Sequence, residues 1–353
     1  MQNRDIVVIG AGLTGLTTAY HLRKQGRDVL VIEKENRIGG QIRTYSEKGF
    51  VFESGPNTGV VSFPEVRELF DDLGDCQLEI ARESSKRRLI WKGNRFHALP
   101  SGPVEAVTTP LFRLSDKIRI LGEPWRKQGD NPDESVGALA QRRLGKSFYE
   151  YAIDPFISGV YAGDPMRLTT RYAMPKLYNL EANYGSFIRG AIAKAKEPKT
   201  DRDRLATKKV FSAAGGLTQM VEAIAKGLDI ITSAQDVKVN PTDDGTWRVT
   251  FNGMEEIRCR QVVTTVGAYA LPSLLPFIPE EQMQPISRLY YAPVIQVCVG
   301  IRNTRSHAFP AFGGLVPSKE QKPVLGILFP SECFEGRAPE GGALYSYFIG
   351  GDL

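Results

Sequence analysis

The stretch from Asp5 to Glu33 constrains the fold of this chain more than any other. An apolar run, Ile6 to Ile9, stops at three glycines with the spacing G-x-G-x-x-G, and a helical pattern follows from Leu16 to Gly26. A second apolar run, residues 29–32, ends at the acid. Strand, glycine turn, helix, strand and acidic residue in this order predict a Rossmann-like α/β domain that binds a dinucleotide.

Each glycine of this fingerprint has its own physical role. Gly10 allows a tight turn, Gly12 lets the backbone approach a pyrophosphate, and Gly15 lets helix and strand pack closely. The pyrophosphate would lie on the helix N-terminus, and the acid would bind the ribose diol. The predicted cofactor-binding residues of this stretch are Gly10, Ala11, Gly12, Leu13, Thr14, Gly15, Glu33 and Lys34. The alternative, a glycine-rich loop before an ordinary helix, would require neither the preceding strand nor the acid.

Two further glycine-containing segments follow, where an NAD-binding domain usually continues with another β–α unit. In the first, bare backbone N–H groups and a guanidinium suit a second face of the pyrophosphate, so we predict contacts from Gly40, Gln41 and Arg43. An ordinary Gly-Gly turn is the alternative. In the second, a short strand at 50–53 runs into a Gly-Pro turn at residues 55–58, where the backbone can approach a flat ring.

Length and composition indicate a globular protein of two or three lobes. The chain has 353 residues, of which 42% are hydrophobic and 24% charged. The net charge of +5 is mild and does not indicate a nucleic-acid partner, although it permits attraction to anionic lipid or to a carboxylate-bearing ligand.

Cysteines and histidines are few and dispersed, so no metal site is predicted and the thiols are expected to be reduced in the cytoplasm. They are Cys76, Cys259, Cys298, Cys333, His21, His97 and His307. No apolar run reaches the roughly 18 residues that span a bilayer, and no signal peptide is evident. Any membrane contact is therefore expected to be peripheral.

The remaining pattern predicts a Rossmann-like domain with an inserted helical lobe and a second, mixed-sheet domain. The first part of the Rossmann-like domain is residues 1–84 and contains a capped helix at 64–74. A basic β-hairpin of the second domain follows in residues 85–102. Residues 103–204 read as a helical lobe, and residues 205–284 as the returning nucleotide-binding part, with strands at 230–231, 237–239, 247–251, 257–259 and 262–267. Residues 285–353 form the second domain, with strands at 294–301, 324–329 and 344–349.

The three glycine segments of residues 5–60 resemble the flavin-containing oxidoreductases of the amine oxidase and protoporphyrinogen oxidase superfamily. Later stretches resemble the protoporphyrinogen oxidases in particular, in order along nearly the whole chain: residues 156–165, 184–190, 211–220, 312–317 and 331–341. The resemblance implies FAD as cofactor, a porphyrinogen as substrate, and molecular oxygen or another electron acceptor. It also implies six-electron oxidation to a porphyrin in haem synthesis, with release of peroxide. The helical lobe would dock on the cytoplasmic membrane, and a homodimer is compatible with this reading.

The resemblance also assigns residues. Gly55, Pro56, Asn57 and Thr58 match the turn on the isoalloxazine side, and Val237 matches a position whose backbone meets adenine. Arg88 matches an arginine that faces a propionate, although a solvated hairpin face is an equal alternative. Leu315 and Phe348 match apolar walls of the substrate slot, where core packing is the alternative. No catalytic residue is identified, and the pyrrole N–H groups of the substrate are a candidate source of protons.

Three readings stay open from the sequence. They are a porphyrinogen oxidase, acting on protoporphyrinogen or coproporphyrinogen, another flavin amine oxidase or desaturase, and an inactive binding fragment. The resemblance implies a C-terminal segment that holds the flavin, and no such second flavin motif is found before Leu353, so we expect a piece of a longer protein.

Overall fold

A computed structural model describes residues 2–305 and 309–352, so that His307 lies outside the described residues. The strands are β1 (Gln2–Ile9), β2 (Val29–Ile32), β3 (Thr44–Glu47), β4 (Phe50–Glu53), β5 (Gly59–Val60), β6 (Leu78–Ile80), β7 (Arg88–Lys92), β8 (Arg95–Ala98), β9 (Val210–Ala213), β10 (Asp229–Ile231), β11 (Lys238–Pro241), β12 (Trp247–Phe251), β13 (Glu255–Thr264), β14 (Val294–Ile301), β15 (Gly313–Leu315), β16 (Gly326–Leu328) and β17 (Ala343–Gly350). The helices are α1 (Leu13–Lys24), α2 (Pro64–Leu73), α3 (Pro103–Thr108), α4 (Leu114–Leu121), α5 (Val136–Arg143), α6 (Lys146–Phe148), α7 (Asp154–Tyr161), α8 (Thr170–Ala173), α9 (Pro175–Tyr184), α10 (Phe187–Ala195), α11 (Asp201–Arg204), α12 (Leu217–Ala225), α13 (Leu271–Leu274), α14 (Glu280–Ser287) and α15 (Pro330–Cys333).

The first six-stranded sheet carries the glycine fingerprint. Its order is β10-β2-β1-β13-β12-β11, and the strands β10, β2, β1 and β13 run parallel. Ile6 and Val8 of β1 pack into one apolar cluster, whereas Val7 and Ile9 pack into another. Both faces of β1 are therefore buried, which accounts for its uninterrupted apolar sequence. Strands from both sides of the helical region share this sheet, so the predicted Rossmann-like α/β fold is confirmed.

Several predicted boundaries were wrong. The two strands expected at 257–259 and 262–267 are one strand, β13, which is continuous from Glu255 to Thr264 and pairs with β1 between Ile257 and Thr264. Val237 lies before β11 rather than in it, since Asp236 has a positive φ of 52° and the strand begins at Lys238. The strand expected at 324–329 is reduced to β16, and helix α1 begins three residues before the predicted start and ends at Lys24.

The second six-stranded sheet is mixed, as predicted. Its order is β14-β17-β16-β15-β7-β8, and within it β15 and β7 are parallel while the other neighbours are antiparallel. The predicted basic hairpin is confirmed, with Lys92 paired to Arg95 across a turn in which Gly93 has a φ of +65°. β14 is an edge strand, and its residues Ile295, Val297 and Val299 are exposed.

The region between the two parts of the first sheet is helical, as predicted, from α3 to α11. The predicted N-cap at Ser135 is confirmed, because its hydroxyl accepts the Ala138 N–H at 3.2 Å. A π-helical segment, Tyr149–Ile153, joins α6 to α7. Within residues 2–305 and 309–352, no helix combines the length and the apolar character needed to cross a membrane.

Candidate functional site

The glycine loop joins β1 to α1 in the geometry that its spacing predicted. Gly10 has a φ of +104°, and its N–H donates to the Ile32 carbonyl at 2.8 Å. A Cβ on Gly15 would lie 1.9 Å from the Gly10 carbonyl oxygen, so only glycine allows α1 to pack this closely on the turn. Helix α1 begins at Leu13 with Gly12 as N-cap, and no described side chain caps it. Its first-turn N–H groups are therefore available to an anion.

Glu33 lies at the end of β2 and is buried beside this loop. One carboxylate oxygen accepts the Ala11 N–H at 2.6 Å, and the other accepts the Glu35 N–H at 2.9 Å. The acid therefore holds the glycine loop in place, while each oxygen keeps a second acceptor position for a ribose hydroxyl. Lys34 contributes differently, because its side chain is exposed and its carbonyl accepts the Gln235 side-chain amide at 2.6 Å.

The second glycine segment packs directly on the loop. A Cβ on Gly40 would lie 3.0 Å from the Gly12 Cα, and Gly12 forms a parallel bridge with Gly39. A Cβ on Gly12 itself would meet no protein atom nearer than 4.0 Å, so this face of the loop is open. Leu13 and Thr14 are exposed at its rim. The glycine loop, residues 10–15, and the Gly39-Gly40 pair form a cradle that a side chain at Gly12 would fill.

The third segment, residues 55–58, packs closely against the second segment at Gly55. This residue has a φ of +122°, and a Cβ on it would lie 2.2 Å from the Gln41 carbonyl oxygen. Within the turn, Asn57 is buried and donates to the Gly55 carbonyl at 2.9 Å, whereas Pro56 is exposed and Thr58 is half-buried. The structure therefore brings together all three segments that the sequence predicted to form one site.

Arg43 is exposed beside the cradle. Its guanidinium lies 4.5 Å from the centroid of the Tyr45 ring, and no carboxylate among residues 2–305 and 309–352 pairs with it. A cation in this position is free to meet an anionic cofactor group.

A buried carboxylate that the sequence did not single out supports these segments from behind. Glu53 accepts the Leu217 N–H at 2.9 Å and the Thr44 hydroxyl at 2.8 Å. Thr44 and Thr218 also exchange two hydrogen bonds, of 2.7 and 3.0 Å, which join the start of α12 to the second segment. Burial raises the pKa of Glu53. The hydrogen bonds from Leu217 and Thr44 and the Arg337 guanidinium, 3.7 Å away, oppose that rise.

Val237 is half-buried against the apolar cluster on one face of the first sheet. Its segment lies beside Glu33, because the Ala234 N–H donates to the Glu33 carbonyl at 3.0 Å and the Ser233 N–H donates to the Glu35 carbonyl at 2.8 Å. The predicted adenine-side residue is thus adjacent to the predicted ribose-binding acid.

The predicted substrate residues share one face of the second sheet. Leu315 pairs with Gly326, and Gly326 pairs with Phe348. Arg88 lies two residues before Ile90, which also pairs with Leu315. Paired residues and residues two apart point to the same side of a sheet, and strands are about 4.8 Å apart, so the Leu315 and Phe348 backbones are about 10 Å apart on one face. Gly326 between them has no side chain, and Leu315 leans over it, with Cδ2 3.0 Å from where a Cβ would lie.

Arg88 is exposed at the start of β7. Its guanidinium lies 5.8 Å from the Phe312 ring centroid, and the described part of the chain provides no carboxylate partner for it. An unpaired guanidinium on the same face as two apolar side chains can hold a carboxylate beside them. Leu315 also packs against the core cluster of Ile90, Leu111, Phe112 and Tyr151.

A Rossmann-like sheet with this cradle and an attached mixed sheet defines a class of flavin-dependent oxidoreductases. The chain belongs to the flavin containing amine oxidoreductase family, whose model matches residues 13–353. It is 31% identical over 391 aligned residues to protoporphyrinogen oxidase 2, chloroplastic/mitochondrial, of Arabidopsis thaliana, which covers 99% of this chain and 76% of that protein. It is 29% identical to the protoporphyrinogen oxidase of Homo sapiens, over 94% of this chain and 74% of that protein.

Solved structures with a similar fold include members of the same group of enzymes. The crystal structure of a proposed protoporphyrinogen oxidase from Exiguobacterium sp. 255-15 has a TM-score of 0.78 and 21% identity, and it covers 99% of this chain and 77% of that chain. A redesigned putrescine oxidase has a TM-score of 0.71 and 17% identity, over 99% of this chain and 76% of that chain. The cofactor of this chain is FAD, and the protein is an FAD-dependent oxidoreductase. The cradle fits that cofactor, since uncapped N–H groups and a buried acid lie where its pyrophosphate and ribose would be, and the exposed Arg43 guanidinium is three residues from Gly40.

Proposed function

We propose that this protein oxidises protoporphyrinogen IX to protoporphyrin IX in haem synthesis. The observation that carries the proposal is the sheet face that Arg88 shares with Leu315 and Phe348. The substrate is a tetrapyrrole with propionate arms, which needs an apolar slot and a cation at the slot's mouth. The resemblance to named protoporphyrinogen oxidases over nearly the whole chain supports the same substrate.

The overall reaction removes six electrons and six protons from the macrocycle. Bound FAD supplies the hydride acceptor for such an oxidation. With molecular oxygen as terminal acceptor, three O₂ would be reduced to three H₂O₂ for each porphyrin formed. The contribution of the chain is to hold the propionate at Arg88 and to enclose the ring between apolar side chains.

Porphyrin fluorescence tests the proposal directly. Protein loaded with excess FAD and given protoporphyrinogen IX should produce porphyrin and peroxide. We expect Arg88→Leu to raise KM about 10- to 100-fold, because it removes a charge-assisted hydrogen bond. Arg87→Leu is the matched control, since Arg87 is exposed just before β7 and alternation along the chain directs it to the other side. Faster turnover of coproporphyrinogen III would show that the substrate is that porphyrinogen instead, and no turnover of either would refute the proposal.

The proposal includes peripheral contact of the helical lobe with the cytoplasmic membrane. Leu114, Ile118 and Leu121 recur at helical spacing on α4 and are 70, 59 and 72% exposed. Trp125, just beyond them, is 78% exposed, and Val107 of the adjacent helix is 69% exposed. An exposed apolar surface of this kind commonly marks an interaction site.

Flotation with anionic phospholipid vesicles tests this contact. The wild-type protein should float with the vesicles, whereas Ile118→Ser combined with Leu121→Ser should stay at the bottom of the gradient. Met254→Ser is the control, because Met254 is, at 93%, the most exposed large apolar residue within 2–305 and 309–352, but lies in a turn far along the chain from α4. Equal flotation of all three proteins, or of none, would contradict membrane docking through α4.

A further inference from the structure

One glutamine of the second sheet reaches into the turn at residues 55–58. Gln296 lies on the edge strand β14, where its neighbours Ile295 and Val297 are exposed on the opposite face. Its side-chain oxygen accepts the Gly55 N–H at 3.0 Å, and its side-chain nitrogen donates to the Glu53 carbonyl at 2.9 Å. The two hydrogen bonds join Gln296 to the backbone at the end of β4 and at the first residue of the turn.

The same carboxamide also fixes the side chain of Asn57. The Gln296 nitrogen donates to the Asn57 Oδ1 at 3.3 Å, and the Ser346 hydroxyl donates to the same oxygen at 3.3 Å. The Asn57 nitrogen donates to the Gly55 carbonyl at 2.9 Å. With its oxygen and nitrogen both engaged, the Asn57 amide is held in a single orientation inside the turn.

The sheet that holds Gln296 also holds the proposed substrate residues. Gln296 pairs directly with Phe348, which pairs with Gly326 beside Leu315. These four residues form one row across the second sheet and point to one face. Gln296 is the end of this row that touches the nucleotide-binding part of the chain. β14 is also pressed against β4 there, since a Cβ on Gly300 would lie 2.9 Å from the Phe50 ring.

We propose that Gln296 is a positioning residue, which sets the conformation of the turn at residues 55–58 against the flavin ring and links that turn to the substrate-binding face. Its carboxamide supplies an acceptor for Gly55 and a donor for Asn57 at once, which few side chains can do. The inference rests on FAD as the cofactor and on this turn facing it. It does not depend on the choice of porphyrinogen, so failure of the porphyrinogen assay would leave it standing.

Two substitutions separate the parts of this role. Gln296→Met keeps the length of the side chain but removes both the donor and the acceptor. Gln296→Glu keeps an acceptor for the Gly55 N–H but removes the donor to Asn57 and to the Glu53 carbonyl. The matched control is Gln261→Met, because Gln261 is an exposed glutamine on strand β13.

Hydrogen exchange of residues 54–58 and the visible circular dichroism of bound flavin are the two readouts, both on FAD-loaded protein. In Gln296→Met the Gly55 amide should exchange roughly 3- to 10-fold faster than in the wild type, and the flavin dichroism should change. Gln296→Glu should retain slow exchange at Gly55 yet alter the flavin dichroism, and Gln261→Met should change neither. Unchanged exchange in Gln296→Met would overturn the proposed hold on the turn. Faster exchange with unaltered flavin dichroism would reduce Gln296 to a structural residue.

Discussion

Replacement of Gly15 by alanine should weaken FAD binding at least about tenfold and destabilise the fold, whereas the same replacement at Gly12 should weaken FAD binding alone. The added methyl group at Gly15 would lie 1.9 Å from the Gly10 carbonyl oxygen, so the turn and helix α1 must separate. Forced overpacking of this kind costs about 1–3 kcal/mol of unfolding free energy. At Gly12 the methyl group meets no protein atom nearer than 4.0 Å and would instead occupy the cradle.

Equilibrium unfolding in urea and titration with FAD distinguish the two variants. We expect FAD affinity to fall at least about tenfold in both, which corresponds to a loss of about 1.4 kcal/mol of binding free energy. Gly102→Ala is the control, because a Cβ there meets nothing within 4 Å and its φ is an ordinary −148°. Normal FAD affinity in Gly12→Ala would show that the pyrophosphate does not lie on this face of the loop.

The second large effect is expected in the helical lobe, where Arg143→Leu should lower the free energy of unfolding by about 3–5 kcal/mol. Arg143 and Glu123 are both fully buried and lie 3.2 Å apart, and Arg143 also pairs with Glu181 at 2.7 Å. Leucine would leave the buried Glu123 carboxylate without its ion-pair partner. Its remaining donors are the Ser186 hydroxyl and two N–H groups at the start of α10, which do not replace a charge.

A second variant tests whether the lost charge is the cause. Arg143→Leu combined with Glu123→Gln should recover part of the lost stability, since no charge is then left unpaired there and the amide can still accept an N–H from α10. The control is Arg67→Leu, which breaks an exposed ion pair with Asp71 and should cost no more than about 0.5 kcal/mol. A double variant no more stable than Arg143→Leu would assign the loss to packing instead.

The two predictions differ in how much of their basis is visible in the sequence. The glycine fingerprint can be recognised in the sequence because its glycines, the two apolar runs and the acid all lie within about 30 residues of chain. Arg143 lies in a helical segment with an ordinary charged pattern, and nothing local indicates that its side chain is buried. Its partners Glu123 and Glu181 are brought to it only by the packing of the lobe.

The sequence by itself determined the Rossmann-like sheet, the hairpin at 88–98, the helical region and the three segments of the cofactor cradle. These follow from apolar periodicity, glycine spacing and turn residues, which act between neighbours in the chain. Their agreement with a known family also identified FAD.

Only the tertiary structure decided how the segments are held. In it, Glu53 accepts a hydrogen bond from the start of α12, and Gln296 accepts one from the turn at residues 55–58. Arg88 lies on the same sheet face as Phe348. One sequence signal did point to the first of these, since the Gly-Gly pair before α12 allows a close approach: a Cβ on Gly216 would lie 2.3 Å from Thr44. The other pairings join residues that are remote in the chain, because sheet register and side-chain burial depend on how strands from distant segments align, and no local pattern encodes that alignment.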